Sequence, residues 1–388
     1  MEKAVDGQVW DVVVVGAGPA GCAAAYDLAT AGLSVLLLDK NYFPRPKACA
    51  GGLTVKAVQA LRYSIAPVVK ETVRRVLLAG PPSARATSQP PGAPPSTIML
   101  KSREPICVMT VRAELDEFCL QKTMAAGARF QRIAPLRGIA RVGGAVHVLT
   151  AGDTFRARFL VGADGASGQV RRLCAPGPWF SQGFALEVRT APTRQTVDLT
   201  FDFASVRNGY AWIFPKKDHL NVGVYSPSSD GGLTKNQLLT YVRDQVGTDA
   251  LDQVTGQYLG LGAAQYQSDC VQPELRDRVL LVGDAGGFVD GLTGEGIYGA
   301  LLSGQAAASA ILSETRGDGA AVTAFSRYLD GYRQTLRFSS RAAAAFYANP
   351  ERGFRVMRLP FLRRSLVRTY THGLNVNSLA VRLALAAR

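Results

Sequence analysis

The chain has 388 residues, of which 47% are apolar and 19% are charged, and its formal net charge is +14. This apolar content excludes an intrinsically disordered chain, and the length suffices for two or three packed domains. The six cysteines include no Cys-x-x-Cys pair, the first residues lack the apolar region of a signal peptide, and no apolar run reaches the ~18 residues of a membrane span. We therefore expect a cytoplasmic protein without a bound metal.

The first motif is a βαβ unit that ends near residue 40. A buried strand leads into the turn Gly16-Ala-Gly18-Pro-Ala-Gly21, and a helix and a second strand follow. Gly16 permits the turn, Gly18 lets the backbone approach a pyrophosphate, and Gly21 allows close packing of helix and strand. Asp39, at the end of the second strand, is placed to accept hydrogen bonds from a ribose. The unit predicts an adenine dinucleotide site, with a turn that binds no ligand as the alternative. The candidate contacts are Gly16, Gly18, Ala20, Gly21, Asp39 and Lys40.

The middle of the chain is predicted to be rich in strands. Residues 81–95 contain six prolines and indicate an exposed loop or hairpin tip. A helix is expected over 112–126, and alternating apolar residues predict strands over 128–161 and 184–225. A buried strand over 279–282 then leads into a second glycine-rich turn and an alanine-rich helix.

Two segments distinguish a flavin from a nicotinamide cofactor. One runs Leu-Val-Gly-Ala-Asp-Gly from residue 160 and includes Asp164, and the other runs Val-Leu-Leu-Val-Gly-Asp from residue 279 and includes Asp284. Both resemble fingerprints of FAD-dependent hydroxylase-like oxidoreductases. The resemblance implies that Asp284 binds the ribityl chain and that the next helix N-terminus faces the flavin. Asp164 is either a direct ligand or only a turn residue. The candidate contacts here are Asp164, Gly283, Asp284, Gly294, Gly296 and Ile297.

Within that group, the chain is most similar to the geranylgeranyl reductase family over nearly its whole length. The stretch Lys-Ala-Cys-Ala-Gly-Gly from residue 47 resembles a family loop that contacts FAD and points a cysteine toward the active site. The stretch Tyr-Ala-Trp-Ile-Phe-Pro from residue 210 resembles the family's substrate motif, and Arg112 matches an arginine near the FAD. The resemblance implies cofactor contacts at Cys49, Ala50, Gly51, Gly52 and Arg112, and substrate contacts at Tyr210, Trp212, Phe214 and Pro215.

Three positions depart from the family pattern. Ala50 replaces a usual glycine, Tyr225 replaces the last glycine of the substrate motif, and Gly291 stands where relatives usually have proline. The first and third affect flavin-loop geometry, and Tyr225 affects the width of the pocket. These departures leave the identity of the substrate open.

The residues themselves support an apolar site beside Cys49. On an extended strand, Tyr210, Trp212 and Phe214 share one face, which is either an ordinary sheet face or a channel wall for an isoprenoid chain. Cys49 follows Lys47, whose positive charge would lower the pKa of a nearby thiol. We expect Cys49 to lie near the flavin, where either its thiol or a water molecule donates the proton that an alkene reduction requires.

Basic residues are concentrated at the end of the chain. Residues 331–388 carry 11 arginines and one acid, and thus +10 of the net +14. The interleaved aromatic residues indicate either a helical cap packed on the body or a surface for anionic lipid. Without a recognisable binding module, no nucleic acid is expected.

The sequence thus predicts an α/β fold with a discontinuous Rossmann-type FAD-binding domain over 1–80, 103–175 and 270–320. A β-rich substrate domain is expected over 81–102 and 176–269, and a basic helical region over 321–388. The predicted activity is FAD-dependent reduction of isolated C=C bonds in a prenyl chain on a lipid, quinone or pigment precursor. NAD(P)H and ferredoxin remain alternative electron donors. An FAD monooxygenase or halogenase, and a non-enzymatic electron carrier, are the competing hypotheses.

Overall fold

The computed structural model describes residues 8–81, 96–175, 177, 181–192, 197–228, 232–247, 249–261 and 271–359. The strands are β1 Val9–Val15, β2 Val35–Asp39, β3 Gly52–Thr54, β4 Val69–Val73, β5 Arg75–Gly80, β6 Ser96–Lys101, β7 Cys107–Thr110, β8 Arg129–Arg132, β9 Leu136–Val142, β10 Ala145–Thr150, β11 Thr154–Gly162, β12 Ser181–Thr190, β13 Leu199–Asp202, β14 Tyr210–Pro215, β15 Leu220–Ser226, β16 Thr255–Leu261 and β17 Val279–Leu281. The helices are α1 Pro19–Thr30, α2 Val55–Ala60, α3 Arg112–Ala125, α4 Gln169–Cys174, α5 Lys235–Tyr241, α6 Ile297–Arg316, α7 Ala321–Ala348 and α8 Pro350–Met357.

The first sheet has seven strands in the order β8-β2-β1-β11-β10-β9, with β17 paired to β11. Strands β8, β2, β1, β11 and β17 run parallel, and β10 and β9 complete the sheet in antiparallel fashion. Strand β1, helix α1 and strand β2 form the predicted βαβ unit. The predicted α/β fold class is confirmed.

The second half of strand β1, Val12 to Val15, is buried on both faces, as its unbroken run of valines predicts. Val12 and Val14 pack with helices α1, α3, α6 and α7 on one side of the sheet. Val13 and Val15 pack on the other side against residues of β9, β10 and α4. The carboxyl end of this strand, where the nucleotide turn begins, is therefore held by two apolar cores.

The second sheet has seven strands in the order β16-β12-β15-β14-β13-β5-β6, and all its pairs are antiparallel except β13 with β5. In the hairpin of β5 and β6, Gly80 is opposite Ser96, and the proline-rich loop between them lies outside the described residues except for its first proline. Strand β5, assigned from sequence to the FAD-binding domain, thus pairs within this sheet. The predicted domain boundaries otherwise stay a prediction.

A small third sheet, β3-β7-β4, connects the two larger ones. Its strand β3 begins at Gly52, where the ring of Phe214 from the second sheet lies over the glycine. This junction brings the loop before β3 next to the face of β14.

The helices α7 and α8 cover both large cores. Phe325, Leu329 and Leu336 of α7 are buried in the core of the first sheet. Further along, Tyr347 of α7 and Phe354 of α8 are buried against the second sheet. The interpretation as a packed helical cap therefore holds for the described part, and residues 360–388 lie outside it. None of the helices in the described ranges combines the length and apolar character needed to cross a membrane.

Candidate active site

The three glycines of the nucleotide turn have different neighbouring atoms. Gly16 has φ +106°, and a Cβ there would lie 2.3 Å from the carbonyl oxygen of Ala163, so a side chain is excluded by both backbone angle and space. At Gly21, a Cβ would lie 1.8 Å from the carbonyl oxygen of Gly16. At Gly18, by contrast, the nearest atom to a Cβ is a guanidinium nitrogen of Arg45 at 3.5 Å. A side chain at Gly18 would therefore not overlap with any other part of the protein.

Asp39 lies at the end of β2 and is only 7% exposed. One carboxylate oxygen accepts from the backbone N–H of Ala17 at 2.9 Å, and the other accepts from the backbone and side chain of Asn41 at 2.8 and 2.9 Å. Asp39 therefore stabilises the nucleotide turn and also lies next to the space in front of it. Lys40, next to it, is exposed. Ribose binding by Asp39 stays a prediction.

Ala20 joins the two glycine-rich fingerprints. It is 4% exposed, and a Cβ at Gly283, which has φ +59°, would lie 2.9 Å from the Ala20 methyl group. Gly304 of α6 approaches the Ala20 carbonyl so closely that a Cβ would lie 2.3 Å from it. The close packing of α1 and α6 thus sets the two fingerprints side by side.

Cationic side chains line the loop between β2 and β3. Arg45 forms an ion pair with Asp116 at 3.1 Å, and its Nε is a buried donor with no hydrogen-bond partner among the described residues. Burial lowers the pKa of Lys47, although its attraction to Asp284 opposes this shift. Arg45 and Lys47 therefore bring positive charge to the space in front of Gly18 and Asp284.

Cys49 lies half-buried in this loop and accepts a hydrogen bond on its sulfur from the backbone N–H of Gly51 at 3.4 Å. Gly51 has φ +67°, and a Cβ there would lie 2.1 Å from the Thr110 carbonyl oxygen. Thr110 donates its backbone N–H and its hydroxyl to the Gly51 carbonyl at 2.8 and 3.1 Å. The backbone of this loop is therefore fixed against β7.

Arg112 opens helix α3, as predicted, and is 8% exposed. Its guanidinium donates two hydrogen bonds of 2.9 Å to Asp116, and it also interacts with the Cys49 thiol. The attraction of Asp116 and Cys49 outweighs burial and raises the pKa of Arg112. This pair positions a permanent cation beside Cys49.

Asp284 lies in the short turn after β17, half-buried between the loops. One of its carboxylate oxygens lies 3.3 Å from the Cβ position of Gly296, the N-cap of α6. Burial raises the pKa of Asp284, and the positive charges of Lys47 and Arg112 oppose that shift. Ile297 begins α6, so the carboxylate and the helix N-terminus meet at one point, as the flavin hypothesis requires. Gly294, with φ +68°, lies in the loop just before them.

Asp164 serves a local structural role. Its carboxylate accepts from the backbone N–H of Val170 at 2.9 Å, in the first turn of α4. Burial raises its pKa to about 6, against the effect of the backbone hydrogen bonds it accepts. The turn interpretation of Asp164 therefore accounts for its contacts, and direct binding of a cofactor stays a prediction.

The aromatic residues of β14 all face the core of the second sheet. Tyr210, Trp212 and Phe214 are 6%, 5% and 6% exposed and belong to one cluster, whereas Ala211 and Ile213 pack in the cluster on the other face. Pro215 ends the strand. A Cβ at Gly52 would lie 2.9 Å from the Phe214 ring. The Tyr210 hydroxyl donates to the carbonyl of Thr293 at 2.5 Å, in the loop before α6. The aromatic face thus contacts both predicted flavin loops.

Three tyrosines bind that loop. Besides Tyr210, Tyr225 donates its hydroxyl to the Gly291 carbonyl at 3.1 Å, and Tyr347 of α7 donates to the Leu292 carbonyl at 2.6 Å. We call Tyr210, Tyr225 and Tyr347 the tyrosine clamp. Tyr225 and Gly291, two of the departures from the family pattern, are therefore in direct contact.

A polar chain behind the aromatic face was not predicted from the sequence. The indole N–H of Trp212 donates to Asn221 at 2.7 Å, and Asn221 donates to Glu187 at 3.2 Å. Lys216, 7% exposed, donates to the Ala50 carbonyl at 2.6 Å. The one signal for Lys216 was its position directly after the Tyr-Ala-Trp-Ile-Phe-Pro segment. Glu187 and Asn221 carried none, because isolated polar residues in strands are usually solvated.

These residues fit a bound FAD. Gly18, Lys47, Cys49, Asp284 and Gly296 are all half-buried, so each of them keeps some surface for a ligand. A guanidinium nitrogen of Arg45 is the nearest atom to a Cβ at Gly18, where a pyrophosphate would lie, and the Arg45 Nε is a buried donor with no hydrogen-bond partner among the described residues. Within the described ranges, no three His, Cys, Asp or Glu side chains are grouped as metal ligands.

Comparison with known proteins agrees with this geometry. The family described as "FAD binding domain" matches residues 9–343, and the chain belongs to it. The protein is therefore an FAD-dependent oxidoreductase.

Its relatives narrow the class. The chain is 33% identical over 79% of its length to an uncharacterized protein of Methanosarcina barkeri, covering 76% of that protein. It is 27% identical to digeranylgeranylglycerophospholipid reductase 1 of Methanopyrus kandleri, over 84% of the chain and 87% of the relative. It is 29% identical to the chloroplastic geranylgeranyl diphosphate reductase of Nicotiana tabacum, over 79% and 67%. The resemblance to geranylgeranyl reductases is thus confirmed.

Two solved structures share the fold. A geranylgeranyl bacteriochlorophyll reductase-like protein of Thermoplasma acidophilum has a TM-score of 0.76 at 20% identity and covers 98% of the chain and 96% of its own. The flavin-dependent brominase Bmp2 has the same TM-score of 0.76 at 18% identity, over 97% and 98%. The fold therefore accommodates more than one flavin chemistry.

Proposed function

We propose that the protein reduces isolated C=C bonds in a prenyl chain carried by a lipid, quinone or pigment precursor. The observation that carries this proposal is the aromatic face of β14, which contacts the Cys49–Gly52 loop through Phe214 and the loop before α6 through Tyr210. A buried apolar surface so close to a flavin site suits a hydrocarbon substrate. The names of the prenyl reductase relatives support the same substrate class.

The residues of the site have separate roles in this reaction. Bound FAD in its reduced form supplies a hydride to one carbon of the double bond. Tyr210, Trp212 and Phe214 bury the chain and exclude water, and burial contributes about 0.8 kcal/mol per methylene. Arg45 and Lys47 hold the phosphates, and Asp284 accepts from the ribityl hydroxyls. Cys49, whose sulfur accepts from the Gly51 N–H and interacts with Arg112, donates the proton to the neighbouring carbon.

The test is a mass measurement under anaerobic conditions. Chemically reduced enzyme is mixed with geranylgeranyl-bearing phospholipids, quinones and pigment precursors, and we expect a gain of two hydrogens for each bond reduced. Trp212→Phe should raise the KM for the prenyl substrate, and Trp10→Phe, a partly buried position in the first sheet's core, serves as the matched control. No gain of hydrogen in any of these substrate classes would refute the proposal.

The structural likeness to the brominase supports monooxygenase or halogenase activity as a second candidate. The same reduced enzyme, exposed to oxygen with and without bromide or chloride, would then give a product that has gained oxygen or halogen. We expect uncoupled oxidation of the enzyme instead, with the prenyl substrate unmodified. An oxygenated or halogenated product would favour this alternative.

We also propose that the basic C-terminal region contacts anionic membranes, where a prenyl lipid would reside. Arg337 and Arg341 are exposed on α7 four residues apart, and they therefore share one helix face. The electron donor is either NAD(P)H or a ferredoxin, and flavin reduction monitored with each donor separates the two.

A further inference from the structure

A continuous row of aromatic rings leads from the Cys49–Gly52 loop to helix α8. Neighbouring ring centroids along this aromatic row are 6.4, 6.2, 5.5 and 5.9 Å apart. In order, the rings belong to Phe214, Trp212, Tyr210, Phe203 and Phe354. At its inner end the row lies over Gly52, and at its outer end the Phe354 ring lies over Gly80 of β5, where a Cβ would be 2.5 Å from the ring. The row therefore connects the predicted flavin loop with α8.

The aromatic row is closed in this structure. Each of the three β14 aromatic side chains is at most 6% exposed, and Phe354 is 2% exposed. Side chains buried to this extent cannot contact a substrate while their cover stays in place. Binding of a prenyl chain on the β14 face therefore requires that a covering element moves.

The C-terminal helices cover the row, and α8 is the less firmly held of the two. Helix α7 is continuous over 28 residues and is anchored in the core of the first sheet by Phe325, Leu329 and Leu336. Helix α8 has eight residues, of which Phe354 alone is buried. Asn349, with φ −146° and ψ 77°, interrupts the helical backbone between them. Because so short a helix is not stable by itself, the position of α8 depends on its contacts with the body.

Arg358, which follows α8, holds the helix in the closed position. Its guanidinium donates to the hydroxyl of Ser96 at the start of β6, and the residue is exposed. No carboxylate pairs with Arg358 among the residues that the structure describes. A phosphate forms a stronger hydrogen bond with a guanidinium than a neutral hydroxyl does, because both partners are then charged. Arg358 is therefore a cation at the outer end of an apolar row, where an anionic group can replace Ser96.

We propose that α8 is a hinged lid over the entrance of the substrate site, an inference that rests on the proposed function. The lid turns at Asn349, Phe354 leaves its place on Gly80, and a prenyl chain enters along the aromatic row toward the flavin loop. Arg358 exchanges the Ser96 hydroxyl for a phosphate of the substrate's head group. Among the proposed substrates, this arrangement favours a prenyl diphosphate or a phospholipid over a quinone.

Chain entry is measured on the oxidised, FAD-loaded enzyme, which binds the substrate without reducing it. In protein whose other two tryptophans are replaced by phenylalanine, stopped-flow fluorescence of Trp212 reports the association of geranylgeranyl diphosphate. Since a closed lid reduces the fraction of molecules that can bind, Gly80→Ala, which displaces Phe354, and Phe354→Ala should each speed association about tenfold. Phe155→Ala, at a residue that is also 2% exposed but lies in the core of the first sheet, is the matched control and should not. Unchanged association in both lid variants would overturn the lid.

The head-group contact is tested with Arg358→Gln. Glutamine keeps a donor for Ser96 and loses the charge, so the ratio of the Kd for geranylgeraniol to the Kd for geranylgeranyl diphosphate should fall about tenfold. Arg137→Gln, at an exposed position on β9, is the matched control and should leave this ratio unchanged. A wild-type ratio in Arg358→Gln would overturn the phosphate contact.

The lid and the proposed function fail in different experiments. Faster association in the lid variants of an enzyme whose reduced flavin saturates no prenyl bond would refute the proposed function and leave the lid standing. Prenyl reduction by the wild type, without faster association in either lid variant, would refute the lid and leave the proposed function standing.

Discussion

Gly16 and Gly18 lie two residues apart in the nucleotide turn, yet only one of them is required by the fold. At Gly16, a side chain would overlap the backbone of Ala163, whereas a Cβ at Gly18 would meet its nearest atom at 3.5 Å. Space left free by the protein beside a helix N-terminus is the space that a pyrophosphate occupies.

Gly18→Ala is therefore expected to fold normally and to bind FAD about tenfold more weakly. Fluorescence titration gives the FAD affinity, and urea denaturation of the cofactor-free protein gives its stability. Gly152→Ala, at a glycine remote from the site whose Cβ would meet no atom within 4 Å, is the control. Equal FAD affinity in Gly18→Ala and wild type would contradict the proposed approach of the pyrophosphate.

The buried charge of Lys216 predicts a pH-dependent stability. Its pKa falls from 10.5 in the unfolded chain to about 8 in the folded protein, so below pH 8 the folded state carries a charge that burial disfavours. Lys216→Met should thus be more stable than wild type at pH 7 by about 3 kcal/mol, less the lost hydrogen bond to Ala50. Between pH 8 and 10.5, wild type gains stability and the gap should close. Urea denaturation at pH 7 and 10 measures this difference in stability between the variant and wild type. A difference that does not depend on pH would contradict the lowered pKa of Lys216.

The local residues of the site could be predicted from sequence, and the long-range ones could not. Gly16, Gly18 and Asp39 belong to one short segment whose strand, turn and helix follow from neighbouring residues. Lys216 and Glu187 lie near the Cys49 loop only because the pairing of strands brings β14 and β12 to it. No local pattern separates a buried lysine at a strand end from a solvated one.

Among the elements, the loop between the Asp284 turn and α6 is held by side chains from other elements as well as by its own hydrogen bonds. The tyrosine clamp reaches it from β14, β15 and α7, and Ser339 of α7 donates to Asp290, which in turn accepts from the backbone N–H groups of Leu292 and Thr293. The position of the flavin loop is therefore coupled to the second sheet and to the C-terminal helices.

The double variant Tyr225→Phe/Tyr347→Phe removes two of the clamp's hydrogen bonds and keeps the rings. We expect a loss of about 2 kcal/mol in the free energy of unfolding, because each buried carbonyl loses its donor. FAD should also be retained less well, since the loop leads into Gly296 and α6. Tyr258→Phe, 42% exposed on β16, is the control and should leave both quantities unchanged. Wild-type FAD retention in the double variant would show that the loop is positioned without the clamp.

For the secondary-structure elements, the sequence predicts whether a segment is a helix or a strand better than it predicts which strands pair. The βαβ unit, α3 and the strand before Asp284 follow from burial patterns and glycine positions. The parallel pairing of β5 with β13 does not, because the partners are far apart in the chain and their register depends on the assembled sheet. This pairing is the reason that β5 belongs to the second sheet.

For the whole molecule, the uneven charge predicts an oriented contact with anionic surfaces. Arg337→Ala/Arg341→Ala should reduce partitioning onto phosphatidylserine vesicles roughly thirtyfold, at about 1 kcal/mol per arginine near the membrane. Vesicle sedimentation measures this, and FAD content should not change. Lys101→Ala/Arg137→Ala removes the same charge from exposed positions outside this region. Equal loss in both pairs would indicate a general charge effect and contradict a docking face.

The C-terminal helices also set the order in which the chain becomes fully folded. The aromatic residues of β14 are synthesised well before Tyr347 and Phe354, and the Phe354 ring rests directly on Gly80 of β5. Until α8 has left the ribosome, the growing chain therefore carries an uncovered aromatic sheet face, which is a site for aggregation. A chain that stops before residue 343 would contain every flavin-loop residue named above and still expose that face. The last helices therefore protect the preceding part of the chain from aggregation by covering this face.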